Sequence, residues 1–251
     1  MCRHLAWLGQ PRPISDFVTQ PPHSLLVQSY AARELLRGTV CADGFGVGWY
    51  PDDERAPARY RRALPIWADP DLARFTSVVR SRAIIGAVRN GTPGIPGGLA
   101  STQPCAFDRY LGSHNGFIRQ FHSHARRLRD GLPDDLYSAL AGESDSETFF
   151  LVAVMHIRRH GDLVSGLEAA VHDVMRLAPG SAFCVVMSDG DELAAARMAD
   201  DQPCDSLYLR REANGVTVAS EPLDGHDLWT ALPEHAVTRI SIPTATKDRA
   251  S

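Results

Sequence analysis

Segments with strand character recur along the whole chain and do not alternate regularly with helices. That order argues against the parallel strand–helix–strand sheet of dinucleotide-binding folds. Runs rich in β-branched and aromatic residues mark strands at 3–8, 45–50, 83–89 and 110–114. Further strands are expected at 183–188, 193–198, 206–210, 216–220 and 237–242. Between them, 25–36 and 69–80 read as helices, and Pro133 followed by two acids opens another, through Leu140. Ser144-Asp145-Ser146-Glu147 matches a capping box ahead of the apolar run 149–157. Leu163, Leu167, Ala170, Val171, Val174 and Leu177 then form a 3.6-residue stripe that stops near Pro179-Gly180. Many strands and few but apolar helices imply helices layered on sheets, with no linker long enough to divide the 251 residues. Pro21-Pro22 and the Gly/Pro-rich stretch 92–104 are the long loops, and residues beyond about 243 read as a frayed tail.

Composition narrows the function. With 26 basic against 30 acidic residues the net charge is −4, unlike a dedicated nucleic-acid or anionic-membrane binder. The longest apolar run, Phe149 to Met155, is far short of the roughly 20 residues of a membrane span. Only Leu5 to Leu8 are apolar before Gly9, too few for a signal peptide, so the expected compartment is the cytoplasm. Five cysteines without a Cys-x-x-Cys pair argue against a disulfide framework or structural zinc. The pairs His156/His160 and His122/His124 have chelating spacing, but Ile157 stands where a metalloprotease helix carries glutamate. Gly44-Phe-Gly-Val-Gly48 has the wrong spacing for a dinucleotide fingerprint, and Gly91–Gly98 lacks Gly-Lys-Ser/Thr. No metal, cofactor or obligatory protein partner is expected.

Cys2 is the most unusual placement. If Met1 is removed, Cys2 carries both a thiol, ordinarily near 8.5, and an α-amine near 7.7–8.0, so one residue holds a nucleophile and its base. Taken alone, a cysteine at position 2 is as readily an accident of sequence. His114-Asn115-Gly116 offers an amide and a backbone N–H that can converge on one oxygen, or an ordinary Asn-Gly hairpin turn. Arg89, at the end of a strand, can clamp a carboxylate or simply be solvated. Asp145 can hold an ammonium, or serve only as an acid in a first helical turn.

Together, Met1-Cys2-Arg3-His4-Leu-Ala-Trp-Leu-Gly, Leu25-Leu-Val-Gln-Ser-Tyr, Ala42-Asp-Gly-Phe-Gly-Val-Gly-Trp-Tyr, Ser113-His-Asn-Gly and Ala219-Ser-Glu-Pro resemble one family. It is the class II glutamine amidotransferase-like branch of the N-terminal-nucleophile hydrolases, and the likeness runs from residue 2 to about 225. Within that branch the chain looks most like the γ-glutamyl amidohydrolases of ergothioneine biosynthesis. The resemblance implies an α+β fold, a four-layer αββα sandwich forming a single domain over residues 2–251, with Cys2 at the end of an inner strand. It implies Cys2 as nucleophile, Asn115 and Gly116 as the oxyanion pair, Arg89 and Thr92 on a glutamyl α-carboxylate, Asp145 on the α-ammonium, and Asp43-Gly44 as a positioning turn. The family's usual Arg-x-Ala-Thr-His-Gly is here Arg89-Asn-Gly-Thr-Pro93-Gly94, and proline has no N–H to donate. Cys41-Ala-Asp43-Gly44 stands where these relatives often have Asn-Ala-Asp-Gly. The implied reaction is hydrolysis of a γ-glutamyl amide, a small-molecule substrate. The alternatives are a glutaminase subunit serving a separate synthase and a catalytically silent binding module of the same fold.

Overall fold

The computed structural model describes residues 2–91, 97–225 and 227–242. In chain order the first half holds β1 (Arg3–Pro13), α1 (Ser15–Val18), α2 (Leu25–Ala31), β2 (Phe45–Trp49), β3 (Ala58–Arg62), α3 (Leu72–Val78) and β4 (Arg80–Val88). The middle holds β5 (Cys105–Phe107), β6 (Tyr110–Phe117), α4 (Phe121–Asp130), α5 (Asp134–Tyr137), α6 (Asp145–His160) and α7 (Leu163–Leu177). β7 (Ala182–Ser188), β8 (Leu193–Ala199), β9 (Tyr208–Glu212), β10 (Gly215–Ala219), β11 (Trp229–Ala231) and β12 (Ala236–Ile240) complete it.

The strands form two antiparallel sheets, in the orders β11-β9-β10-β1-β4-β2-β3 and β12-β8-β7-β6-β5. Strand periodicity sorts their side chains into layers. Ala6 and Leu8 of β1 and Ala83 and Ile85 of β4 meet Leu111, Cys184, Val186 and Ala195 of the other sheet in a shared core. Leu5, Trp7, Ile84 and Val88 point the opposite way, onto Phe17, Leu25 and Leu72 of α1 to α3. Phe183, Val185, Met187, Ala194 and Ala196 turn away from the shared core onto α4, α6 and α7. The result is helix, sheet, sheet, helix, the αββα sandwich expected from the sequence. α6 is apolar nearly all round because it is enclosed between β6, α4 and α7, and every residue from Phe149 to Ile157 is buried.

Several boundaries differ from the sequence reading, each for a visible reason. The helix expected over 25–36 stops at Ala31, and Ala32 is extended. The N–H groups of Arg33 and Glu34 donate to the Glu221 carboxylate instead of continuing the helix. β1 runs past Leu8 to Pro13 through a register shift between Leu8 and Arg12. The capping box is half formed: Ser144 Oγ accepts from Glu147 N, but the Glu147 carboxylate accepts from Ala141 and Gly142 N–H instead of reaching back. The helices expected over 69–80 and 133–140 shorten to Leu72–Val78 and Asp134–Tyr137, and the strand expected from 206 starts at Tyr208. α1, α4, β3, β5 and β11 were not expected. The tail beyond 242 lies outside the described residues.

Candidate active site

Cys2 immediately precedes the central strand of the seven-stranded sheet, so its place is fixed by β4 on one side and β10 on the other. Its backbone nitrogen, the atom that would become the α-amine if Met1 were cleaved, donates to Asn115 Oδ1 at 2.8 Å. Burial pushes the Cys2 thiol above its ordinary value. The amino terminus, the Asn90 backbone N–H and the Arg89 guanidinium pull it back. Two residues along, on the same face of β1, buried His4 shares hydrogen-bond contacts with Ser113 Oγ at 3.1 Å and Cys184 Sγ at 3.5 Å. Burial, with Arg3 and His114 beside it, lowers His4 to about 3, so its imidazole is neutral.

Asn115 and Gly116 lie inside β6, not in a hairpin turn. Asn115 pairs with Cys184 across the sheet and turns its amide inward, toward the start of β1. Gln103 holds this stretch: its Oε1 accepts from His114 N–H at 2.6 Å and from Ser113 Oγ at 3.0 Å, and its Nε2 donates to His114 O at 2.8 Å. The backbone groups of His114 therefore face away from β7. By strand alternation the N–H of Gly116 emerges on that same side, toward the cavity. A Cβ at Gly116 would lie 2.1 Å from Ala182 O and 2.6 Å from His114 Nε2, so only glycine fits. His114 itself faces the helix layer, stacked on Phe183 and bonded through Nδ1 to Ser146 Oγ at 3.0 Å.

Arg89 follows the last residue of β4 and is 7% exposed; among the described residues no side chain hydrogen-bonds or ion-pairs with its guanidinium. The Asp43-Gly44 turn holds its backbone. Arg89 N–H donates to Gly44 O at 2.7 Å, Asp43 N–H to Arg89 O at 2.9 Å, and Gly91 N–H to Asp43 Oδ2 at 2.6 Å. Gly44 has φ +143°, and a Cβ there would lie 2.7 Å from Thr102 Oγ1. Asp145 opens α6 behind its N-cap Ser144 and is 4% exposed. Its oxygens accept from Ile118 N–H at 3.1 Å and Ser146 N–H at 2.9 Å, which fixes the carboxylate and leaves lone pairs for a further donor.

Cys2, Arg89, Gly116 and Asp145 line one cavity of about 440 Å³. Thus a thiol, a guanidinium with no side-chain partner among the described residues, an anchored carboxylate and a backbone N–H converge from the starts of β1 and α6 and the ends of β4 and β6. Such a set can bind a zwitterionic amino-acid end and present a carbonyl to the sulfur. Of the sequence candidates, Thr92 lies outside the described residues. Arg37 and Phe117 also line the cavity, with the guanidinium 5.0 Å from the ring centroid. The sequence reading missed Arg37, Phe117, Gln103 and the support beneath them. That support is Glu221, which accepts from His23 Nε2 at 2.7 Å and faces Arg3 Nε at 3.4 Å. Burial works to raise the Glu221 carboxyl, but His23, the two backbone donors and Arg3 hold it below its ordinary value. Only the short Ser-Glu-Pro signature marked it in sequence. His156, far from the cavity, pairs with Asp173 at 3.1 Å, and no group of three His, Cys, Asp or Glu among the described residues is placed to hold a metal ion.

Comparison with known proteins bears on this arrangement. Residues 19–214 match the family described as glutamine amidotransferases class-II. A γ-glutamyl-hercynylcysteine sulfoxide hydrolase of Mycolicibacterium smegmatis is 34% identical over 240 residues, covering 96% of each chain. Its namesake in Mycobacterium tuberculosis is 32% identical, covering 100% of this chain and 98% of the relative. Among solved structures, a class-II glutamine aminotransferase domain protein from Silicibacter pomeroyi superposes with TM-score 0.69 at 25% identity, covering 97% of this chain and all of that one. Glutamine phosphoribosylpyrophosphate amidotransferase from B. subtilis shares the fold with TM-score 0.60 at 16% identity, covering 96% of this chain and 49% of that one. The chain belongs to the class II glutamine amidotransferase family.

Proposed function

We propose that this protein hydrolyses the γ-glutamyl amide bond of γ-glutamyl-hercynylcysteine sulfoxide, releasing glutamate and hercynylcysteine sulfoxide. The observation that carries the reading is the convergence of Cys2, Arg89, Gly116 and Asp145 on one cavity, with Asn115 bonded to the Cys2 nitrogen behind it, in a chain similar over its length to hydrolases named for that substrate. Arg89 pairs with the α-carboxylate and Asp145 with the α-ammonium of the glutamyl group, Thr92 assisting at the carboxylate. With Met1 removed, the Cys2 amine takes the thiol proton and the sulfur attacks the δ-carbonyl carbon. Asn115 Nδ2 and the Gly116 N–H receive the oxyanion. The C–N bond then breaks, the departing amine takes the proton from the Cys2 ammonium, and a glutamyl thioester remains. Water adds to that thioester, gives a proton to the same amine, and the C–S bond breaks to free glutamate and restore the thiol. Asp43-Gly44 positions the arginine and does no chemistry. None of the five cysteines is joined in a disulfide, which is in keeping with a reducing compartment such as the cytoplasm.

The test compares turnover of the sulfoxide conjugate with that of glutamine at equal concentration, reading released glutamate. Faster release from the conjugate is expected. Faster release from glutamine would replace this reading with a glutaminase, and release from neither would leave a silent module.

A further inference from the structure

An asparagine amide carries one acceptor and two hydrogens, and the reaction above uses the acceptor and one hydrogen of Asn115. Asn115 Nδ2 is shut off from solvent and makes no close, aligned hydrogen bond; the same holds for Oδ1 of Asp205, a residue only 5% exposed. The fold places the segment that carries Asp205 beside the row that contains Asn115. Asn115, Cys184 and Arg197 lie in one row across β6, β7 and β8. Arg197 Nε donates to Asp205 O at 2.9 Å, and Cys184 Sγ sits 3.9 Å from the carbonyl oxygen of Ser206. The segment after β8 is therefore folded back over the row that contains Asn115. Ser206 Oγ pins it by donating to Ser220 O at 2.8 Å, on the residue whose own hydroxyl accepts from His4 N–H. Burial raises the Asp205 carboxyl, while Arg3, the amino terminus, Arg37 and the Asn115 amide each act to lower it.

We propose that Asp205 is a positioning residue for this reaction: its carboxylate holds one hydrogen of the Asn115 amide, leaving Oδ1 to the Cys2 nitrogen and the second hydrogen to the oxygen of the reacting carbonyl. The inference rests on Asn115 acting as oxyanion donor under the proposed function. A carboxylate accepts and cannot donate, so flipping the amide would set Oδ1 against Asp205 and two N–H groups against the nitrogen of Cys2. Away from water both mismatches are costly, and one orientation is selected. Asp205 touches neither the substrate nor the sulfur in this account. It acts through Asn115 alone.

The test is a double-mutant cycle on the full chain, with a γ-glutamyl anilide as probe and kcat and KM read separately. Asp205→Asn keeps the shape but can donate as well as accept, so it no longer enforces the flip. The expected loss in kcat is about 10- to 100-fold, below the cost of deleting an oxyanion donor outright. KM is expected to stay close to wild type, because the glutamyl contacts are untouched. In an Asn115→Ala background the same substitution should cost nothing further, since no amide remains to be oriented. Should Asp205→Asn not fold, Asp205→Ala carries the same cycle. Wild-type kcat in the single variant, or an equal loss in both backgrounds, overturns the inference while leaving the proposed function standing. A wild-type protein that turns over no γ-glutamyl amide overturns both.

Discussion

Arg89 and Asp145 are expected to contribute alike to catalysis and differently to stability, because only the Asp145 side chain has a structural partner among the described residues. Each is assigned one charge of the glutamyl group, in a cavity where losing one member of a charge pair strands the other. Removing either side chain should therefore cost about 2–5 kcal/mol in kcat/KM, roughly a 30- to 4000-fold loss. Stability should separate them. The Arg89 guanidinium pairs with no described side chain and borders open cavity, so Arg89→Ala strands no described donor or acceptor and should lower Tm less than Asp145→Ala does. The Asp145 carboxylate accepts from the buried N–H of Ile118 at 3.1 Å and from Ser146 N–H at 2.9 Å. Leaving the Ile118 donor unsatisfied costs about 1–3 kcal/mol. For a domain of this size that is roughly 2–12 °C in Tm. The assay pairs kcat/KM on a γ-glutamyl substrate with a thermal melt of each variant, Asp145→Asn included because it keeps one acceptor oxygen. Equal Tm losses in Arg89→Ala and Asp145→Ala would refute the claim that Arg89 is held in reserve for a ligand. Unchanged kcat/KM in Arg89→Ala would refute its role altogether.

Intact mass of the active protein should fall one methionine below the encoded value, because only a free Cys2 amine can serve as the base; activity in a preparation retaining Met1 would exclude this mechanism. Asn115→Ala should lower kcat by about 10²–10³ with much less effect on binding, and an unchanged kcat would remove the amide from the oxyanion site. Acid should weaken the fold through His4. Its imidazole is held near 3 in the folded chain but protonates near 6.5 when unfolded, so the unfolded state binds the extra proton as pH falls between those values. Stability from this one group should drop by up to about 1.4 kcal/mol per pH unit below 6.5, and His4→Asn should remove that share of the slope in urea melts at pH 5 and 6.5; an unaltered slope would mean that burial does not hold His4 neutral.

What the sequence made legible and what it hid differ by the range of the interaction involved. Layering was legible because alternation along β1, β4 and β7 is local, and the two faces of each strand have different partners in the fold. The residues of the candidate site stood out for a related reason. Cys2, Arg89, Asn115-Gly116 and Asp145 each sit where a strand or helix begins or ends, within a few residues that share one job. The α4 helix escaped notice although Phe121, Ala125 and Leu128 repeat at helical spacing, since His122, His124 and the arginines between them mask the stripe.

The residues that hold the site in place are bound across the chain, and no local pattern announces them. Glu221 ends α2 from 187 and 188 positions away, by taking the N–H groups of Glu34 and Arg33 that the helix would otherwise have used. The helical propensity of 25–36 was real, yet a buried carboxylate competed for its donors and won, because an ionised acceptor makes a stronger bond than a peptide carbonyl. The cost to the helix is its last turn. What the fold gains is a segment drawn toward the start of β1, with Arg3 and Glu221 beneath it and Arg37 carried to the cavity wall. Gln103 does the same for β6. It grips both backbone groups of His114 where β5 has already ended, and so keeps the strand extended through Asn115 and Gly116 without a neighbouring strand on that edge. In each case a single side chain replaces a stretch of regular hydrogen bonding at the rim of the cavity. That substitution leaves the Gly116 N–H turned toward the cavity instead of committed to a sheet partner. A further strand along that edge would have bonded His114 equally well, but it would also have taken the donor that the proposed reaction needs.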